Sequence, residues 1–274
     1  MSTLTWNLRG RGPADILIDD ADGIPVTPDW AWGETAGAQA RVCVVDSGIE
    51  SGHPLVGPIA SAHVVTVGTD GPQVEPAEPS DMYGHGTACA SIIRRVAPEC
   101  EIHSVRVLGE KGGGTGPVLA AGLRWAVEQQ FDVINLSLST TRIQYSQLLR
   151  EITDEAYFGR SVVVASAHNA ALESFPWRFG AVISVGSHQE TDPDVVLYNP
   201  TPPVEFFAMG QRVPVAGLGA STTYNTGNSF AAAHMTGRCA LILSKHPGLT
   251  PFQVKDILYL TADNVRGKYV KRQP

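Results

Sequence analysis

Short apolar runs alternate with amphipathic segments along most of this chain. Five runs have the length and the β-branched, apolar composition of buried strands: residues 41–45, 101–108, 133–138, 161–165 and 181–185. Five other segments have the apolar spacing or the end signals of helices: residues 84–94, 117–130, 145–158, 229–245 and 250–260. Continuous apolar strands that alternate with helices predict a three-layer, doubly wound α/β fold. Its central sheet is mainly parallel, with helices on both faces.

The beginning of the chain has a different pattern. Residues 1–27 are polar and rich in turn-forming residues such as Gly10 and Gly12-Pro13, so we predict a short N-terminal arm there. Residues 28–274 are predicted to form one domain, which is long enough to bury a substantial core.

Composition and charge argue against several classes of function. The net charge is −7 and the basic residues are scattered, which does not favour a nucleic-acid partner. No apolar run reaches the roughly 18 residues that span a bilayer, so no membrane partner is predicted. The first 20 residues lack the apolar core of a signal peptide, which predicts a cytoplasmic protein. The four cysteines have no CxxC spacing, and we interpret them as free thiols in or near the core, not as zinc ligands.

Three side chains that could act together in nucleophilic catalysis lie where predicted strands end or predicted helices begin. Asp46 follows the strand 41–45, His85 begins a helix between two glycines, and Ser229 begins another helix. A serine hydroxyl is a poor nucleophile until a base takes its proton, and histidine has a suitable pKa for that base. A carboxylate then fixes the imidazole tautomer and stabilises its charged form. The segments 137–140 and 166–169 also follow strands, and such strand ends meet at one edge of a parallel sheet.

These segments resemble the motifs of the subtilisin-like (subtilase) serine peptidases. The similar stretches lie in order between residues 28 and 262: VVDSGIESGHP at 44–54, GHGT at 84–87, VINLSL at 133–138, VASAHN at 164–169 and GNSFAAAHMTG at 227–237. The resemblance implies a subtilisin-like catalytic domain that hydrolyses peptide bonds through an acyl-enzyme. It implies that Asp46 orients His85, that His85 acts as general base and then acid, and that Ser229 attacks the scissile carbonyl. Asn169 and the backbone N–H of Ser229 would bind the oxyanion.

The resemblance also implies where a peptide or protein substrate binds. Two segments resemble those that pair with the substrate backbone as an added strand: Gly112, Gly113 and Gly114, and the stretch Ser137, Leu138, Ser139 and Thr140. Ser139-Thr140 replaces a common Gly-Gly, and His168 replaces a common glycine, so we expect a restricted pocket for P1, the residue before the scissile bond. Glu173 either favours a basic P1 residue or is a solvated loop glutamate. The Phe175-Pro176 bond is a candidate for the cis form.

No metal or cofactor is predicted. The metal-binding loop common in this family is missing after His85, and Leu55 occupies the position of an acidic calcium ligand. No segment with the length of a folding propeptide precedes Asp46, so either the enzyme is intracellular and folds unaided or a propeptide has been removed from the sequence. We therefore predict an intracellular processing endopeptidase of restricted specificity, for example one that removes the leader of a ribosomally made peptide. Two alternatives stay open: an inactive subtilase-fold binding module, and a peptide cyclase or other acyl transferase that uses the same acyl-enzyme. The sequence does not determine the oligomeric state.

Overall fold

The computed structural model describes residues 25–266, and this range contains six α-helices and eleven strands. The helices are α1 (Pro28–Trp32), α2 (His85–Val96), α3 (Gly116–Glu128), α4 (Ser146–Phe158), α5 (Asn228–Lys245) and α6 (Pro251–Thr261). The strands are β1 (Arg41–Asp46), β2 (Ser61–Gly68), β3 (Gly71–Pro76), β4 (Glu101–Arg106), β5 (Val133–Leu136), β6 (Val162–Ser166), β7 (Ile183–His188), β8 (Leu197–Tyr198), β9 (Phe206–Met209), β10 (Val213–Gly217) and β11 (Ser221–Asn225).

Nine strands form the central sheet, in the order β3-β2-β4-β1-β5-β6-β7-β9-β8. Every neighbouring pair from β2 to β9 is parallel, and antiparallel strands occur only at the two edges, β3 and β8. Strands β10 and β11 form a separate antiparallel hairpin. This arrangement confirms the predicted mainly parallel α/β fold.

The helices cover both faces of the sheet. One apolar core packs α2 and α5 against the sheet and includes Ile92, Ile93 and Ala232. The other core packs α3 and α4 on the opposite face and includes Leu123 and Leu149. Helix α5 is the most enclosed, since every residue from Ser229 to Leu243 is buried. None of the helices in the described range is long and apolar enough to cross a membrane.

The predicted strands and helices are present, with ends displaced by a few residues. The sequence pattern did not predict α1 or the strands β2, β3, β8, β9, β10 and β11. Most of these strands are short, half-exposed or polar, so they lack the continuous apolar run that identified the others; β11, STTYN, is almost entirely exposed. The predicted arm lies mostly outside the described residues, and Thr27 at its end already caps α1 by accepting the N–H of Trp30 at 3.2 Å. That domain boundary stays a prediction.

The chain reverses its direction of travel across the sheet at β1. After β1 it forms β2 and β3 and then, through α2, β4, all on one side of β1. After α3 it returns as β5 on the other side of β1. The crevice outside the carboxyl ends of the strands at such a point is the usual ligand site of open α/β sheets. Asp46 lies at this end of β1, and the segments that follow β5 and β6 lie beside it.

Candidate active site

Asp46 and His85 form a buried acid–imidazole pair. Asp46 is 0% exposed, and its Oδ1 lies 2.8 Å from Nδ1 of His85. The backbone N–H of Ser47 donates to the same oxygen at 2.8 Å. One carboxylate oxygen therefore fixes both the position of Asp46 and the orientation of the imidazole.

The first turn of α2 brings His85 to the end of β1. A Cβ on Gly86 would overlap the carbonyl oxygen of Gly48, so only glycine allows this approach. Asp81 braces the same turn. Its Oδ1 accepts the N–H groups of Tyr83 and Gly84, and its Oδ2 accepts the N–H and hydroxyl of Thr87.

The electrostatic surroundings of His85 favour its charged form. Burial is the largest single effect and opposes the charge, but the charge and hydrogen bond of Asp46, together with the charge of Asp81, outweigh it. The pKa of His85 is therefore raised above its usual value of 6.5. An imidazole in this setting accepts a proton readily and is stabilised once it is charged.

Ser229 lies at the beginning of α5, facing the same cleft. Its Oγ donates to the carbonyl of Ser137 at 3.0 Å, while the Ser137 hydroxyl donates to the carbonyl of Ser229 at 3.0 Å. Within residues 25–266, Ser229 makes no hydrogen bond to His85. The two residues nevertheless line one open cleft of about 560 Å³, together with Asn169.

The amide of Asn169 is held against the first turn of α5. Its Oδ1 accepts the N–H of Asn228 at 2.9 Å, which leaves its Nδ2 group to donate elsewhere. Asn228 in turn donates to the carbonyls of Ala167 (3.1 Å) and His168 (3.4 Å) and accepts the N–H of Ser187 at 2.9 Å. These bonds join the ends of β6 and β7 to the helix that carries Ser229. A helix N-terminus with free N–H groups suits an oxyanion.

Comparisons with known proteins show the family of the chain. The subtilase family model matches residues 37–273. The chain belongs to the subtilase family. It is 31% identical to subtilisin DY of Bacillus licheniformis over 84% of this chain and 85% of that protein. It is 30% identical to subtilisin E of Bacillus subtilis over 82% of this chain and 61% of that protein.

A solved structure supports the same relationship. The crystal structure of a cold adapted subtilisin-like serine proteinase is similar with a TM-score of 0.66 and 26% identity, over 81% of this chain and 82% of that chain. This subtilase is a serine endopeptidase, and its substrates are peptides or proteins.

The residues predicted to contact substrate in this subtilase lie in different places. Ser137 contacts Ser229 directly, and Leu138, Ser139 and Thr140 continue from it along the end of β5. Gly112, Gly113 and Gly114 belong to a tight turn in which Gly109 donates its N–H to the carbonyl of Gly113 at 2.9 Å. The ring of Tyr83 lies against Gly112, at 2.6 Å from the position that a Cβ would take.

Neither of the two remaining predicted substrate residues lines the cleft that contains Ser229. His168 lines a separate cavity of about 380 Å³, and its Nδ1 accepts the N–H of Ala170 at 3.0 Å. Glu173 pairs with Arg178 at 2.8 Å, and its side chain is 62% exposed. The Glu173 carboxylate is therefore a neutralised surface group, and the geometry does not favour its role in binding a basic P1 residue. The Phe175-Pro176 bond is cis.

Several residues that border the cleft were missed at the level of sequence. Tyr83, Leu218 and Phe230 supply apolar surface beside His85, and the ring centroids of Phe230 and His85 are 5.7 Å apart. The position of Phe230 next to Ser229 was a usable signal. Leu218 belongs to the β10–β11 hairpin region, whose approach to the cleft has no local sequence pattern.

All four cysteines are buried, free thiols, as predicted. Cys89 lies beneath the acid–imidazole pair. Its Sγ and one ligand atom each of Asp46 and His85 lie within 4.8 Å of one another. Burial and the Asp46 charge raise the pKa of Cys89 well above its usual value. A protonated thiol is a poor metal ligand, so this group of atoms does not favour a metal site.

Proposed function

We propose that Asp46, His85, Ser229 and Asn169 are the catalytic machinery of this subtilase. The observation that carries the proposal is the 2.8 Å contact between buried Asp46 and His85 in the cleft that Ser229 also borders. The proposal requires the Ser229 hydroxyl to rotate away from the Ser137 carbonyl and towards the imidazole. Catalytic hydrogen bonds that are loose in a free enzyme commonly tighten when substrate binds.

The reaction then proceeds through an acyl-enzyme. His85 takes the proton of Ser229 as Oγ attacks the scissile carbonyl, and Asp46 stabilises the imidazolium that forms. Asn169 Nδ2 and the N–H of Ser229 donate to the oxyanion. His85 next protonates the leaving amine, and the C–N bond breaks. A water molecule, activated by the same imidazole, hydrolyses the ester and restores Ser229.

We further propose a cytoplasmic processing role with a narrow range of substrates. The four free, buried cysteines suit a reducing compartment. The side chains of Ser139 and Thr140 where glycines are common favour restricted specificity. Removal of a leader from a ribosomally made peptide is one reaction of this kind.

A fluorophosphonate probe tests the catalytic assignment. Native protein should gain one adduct on Ser229, and Ser229→Ala should lose both the adduct and peptide hydrolysis. Ser51→Ala, which changes an exposed serine, should behave as wild type. Absence of labelling in native wild-type protein would favour the inactive binding module.

A panel of unfolded proteins and the masses of the products test the processing role. A processing enzyme leaves most of the panel uncut, whereas fragmentation at many unrelated sites would contradict narrow specificity. Hydrolysis adds one water to the summed product mass, whereas a cyclase releases a product without it.

A further inference from the structure

The residue on the acyl side of the scissile bond must enter a crevice beside Ser229. This step rests on the proposed catalytic role of Ser229. Strands β5 and β6 run parallel up to Leu136 and Ala165, and their continuations, 137–139 and 166–168, form the two walls. Ser229 Oγ lies 3.0 Å from the carbonyl of Ser137 on one wall, and Asn169 follows the other. An acyl group on Ser229 with its oxygen towards Asn169 directs its side chain between these walls.

The far end of this crevice is closed by hydrogen bonds. Ser139 Oγ lies 2.9 Å from Ser174 Oγ, and the indole N–H of Trp177 donates to the same Ser174 oxygen at 2.8 Å. Thr140 and Phe175 exchange both backbone N–H···O bonds at 2.9 Å, which joins the loop to the end of β5.

The residues at the base of the crevice are buried, whereas Leu138, Ser139 and His168 on its walls are half-buried. Ser174 is 0% exposed, Ser137 and Ser166 are each 5% exposed, and Ala167 is 7% exposed. An open pocket that reached Ser174 would expose its hydroxyl to water. The half-buried Ser139 side chain therefore lies over the buried Ser174 hydroxyl and separates it from the open part of the crevice.

We propose that this enzyme cleaves after residues with small side chains, namely glycine, alanine or serine, and that Ser139 is the residue that sets this limit. A leucine or phenylalanine side chain can enter only by displacing Ser139 from Ser174. That displacement would leave the buried Ser174 hydroxyl with one partner fewer. A lysine or arginine side chain meets the same obstruction, and Glu173 does not compensate, since it is paired with Arg178 at the surface.

A matched series of peptides that differ only at the P1 position tests the proposal. With wild-type enzyme we expect kcat/KM to be at least about 100-fold higher for alanine than for leucine or phenylalanine, in the range by which a pocket rejects side chains that do not fit. Ser139→Gly removes the covering side chain, so the ratio of leucine to alanine should rise at least about tenfold. Ser139→Thr keeps a hydroxyl and a larger side chain, and should keep the preference for alanine.

The outcomes separate this proposal from the catalytic one. Fluorophosphonate labelling of Ser229 together with equal rates for alanine, leucine and phenylalanine peptides would overturn the small-residue limit alone. No labelling and no hydrolysis of any peptide would overturn the catalytic proposal. If Ser139→Gly fails to fold, the wild-type profile still decides, because a preference for large or basic P1 residues contradicts the closed crevice.

Discussion

Replacement of Asp46 by asparagine probes the acid–imidazole pair without changing its shape. Oδ1 of Asp46 accepts two hydrogen bonds, from Ser47 and His85, and the buried Oδ2 has no partner within residues 25–266. If the asparagine oxygen keeps the Oδ1 position, its NH₂ group occupies the Oδ2 position. The described residues place no hydrogen-bond acceptor there. An unsatisfied buried donor costs about 1–3 kcal/mol.

The opposite orientation of the introduced asparagine is also unproductive. Its NH₂ group would then face the Ser47 N–H and would donate to Nδ1 of His85. That bond places the imidazole proton on Nε2, so His85 can no longer accept the proton of Ser229. In either orientation the negative charge that stabilises the imidazolium is lost. We expect kcat to fall on the order of 10⁴-fold, or about 5 kcal/mol of barrier at roughly 1.4 kcal/mol per tenfold change in rate.

The pH profile supplies an independent readout for Asp46→Asn. In the wild type, His85 becomes an uncharged base only as pH rises through its pKa, which is raised above 6.5. The wild-type kcat/KM should therefore increase with pH through that raised pKa. Without the Asp46 charge, the effect of burial on His85 is no longer outweighed, and the residual activity should reach its plateau at lower pH. Asp154→Asn, at an exposed position on α4, is the matched control. A loss of less than tenfold in a folded Asp46→Asn variant, with an unmoved profile, would refute the proposed role of Asp46.

Four further predictions follow from the same geometry. Asn169→Ala should lower kcat on the order of 10²–10³-fold with little change in KM, measured by steady-state kinetics; a change in KM alone would contradict an oxyanion role. Gly86→Ala should lower the melting temperature and the activity together, because its Cβ would overlap the Gly48 carbonyl oxygen. Gly52→Ala is the comparison variant: its Cβ would contact nothing, so it measures only the cost of placing alanine at a positive φ. Burial, with the nearby Arg95 charge, lowers the pKa of His234 to about 4. His234 therefore costs no stability above pH 6.5, and it destabilises the folded state as pH falls from 6.5 towards 4. Over that pH range the melting temperature of His234→Gln should fall less than that of the wild type. EDTA should leave activity and melting temperature nearly unchanged, and a large drop would contradict the prediction that no tight calcium site is present.

Local sequence predicted the parts of the site that local structure determines. Asp46 ends a buried strand, and His85 and Ser229 begin helices beside glycines, so strand ends and helix starts were sufficient to bring them together. Asn169 depended on the family resemblance, since an asparagine in a loop has no pattern of its own.

Contacts between distant segments explain what the sequence did not predict. The side-chain amide of Asn228 donates hydrogen bonds to the backbone carbonyls of Ala167 and His168, which lie about 60 positions earlier in the chain. The hydroxyl of Ser139 forms a hydrogen bond with the hydroxyl of Ser174, which is 35 positions away. Neither pairing has a periodicity or a motif. The ion pair of Glu173 with Arg178 lies within a short loop, but residue types alone do not reveal whether such a carboxylate faces the cleft or solvent.

Mass spectrometry of native protein treated with a fluorophosphonate tests the central claim most directly. The account predicts one covalent adduct per chain, located on Ser229, formed faster as pH rises through the raised pKa of His85, and abolished in Ser229→Ala. An adduct on another serine, or none on folded wild-type protein that is exposed to the probe above that pKa, would contradict it.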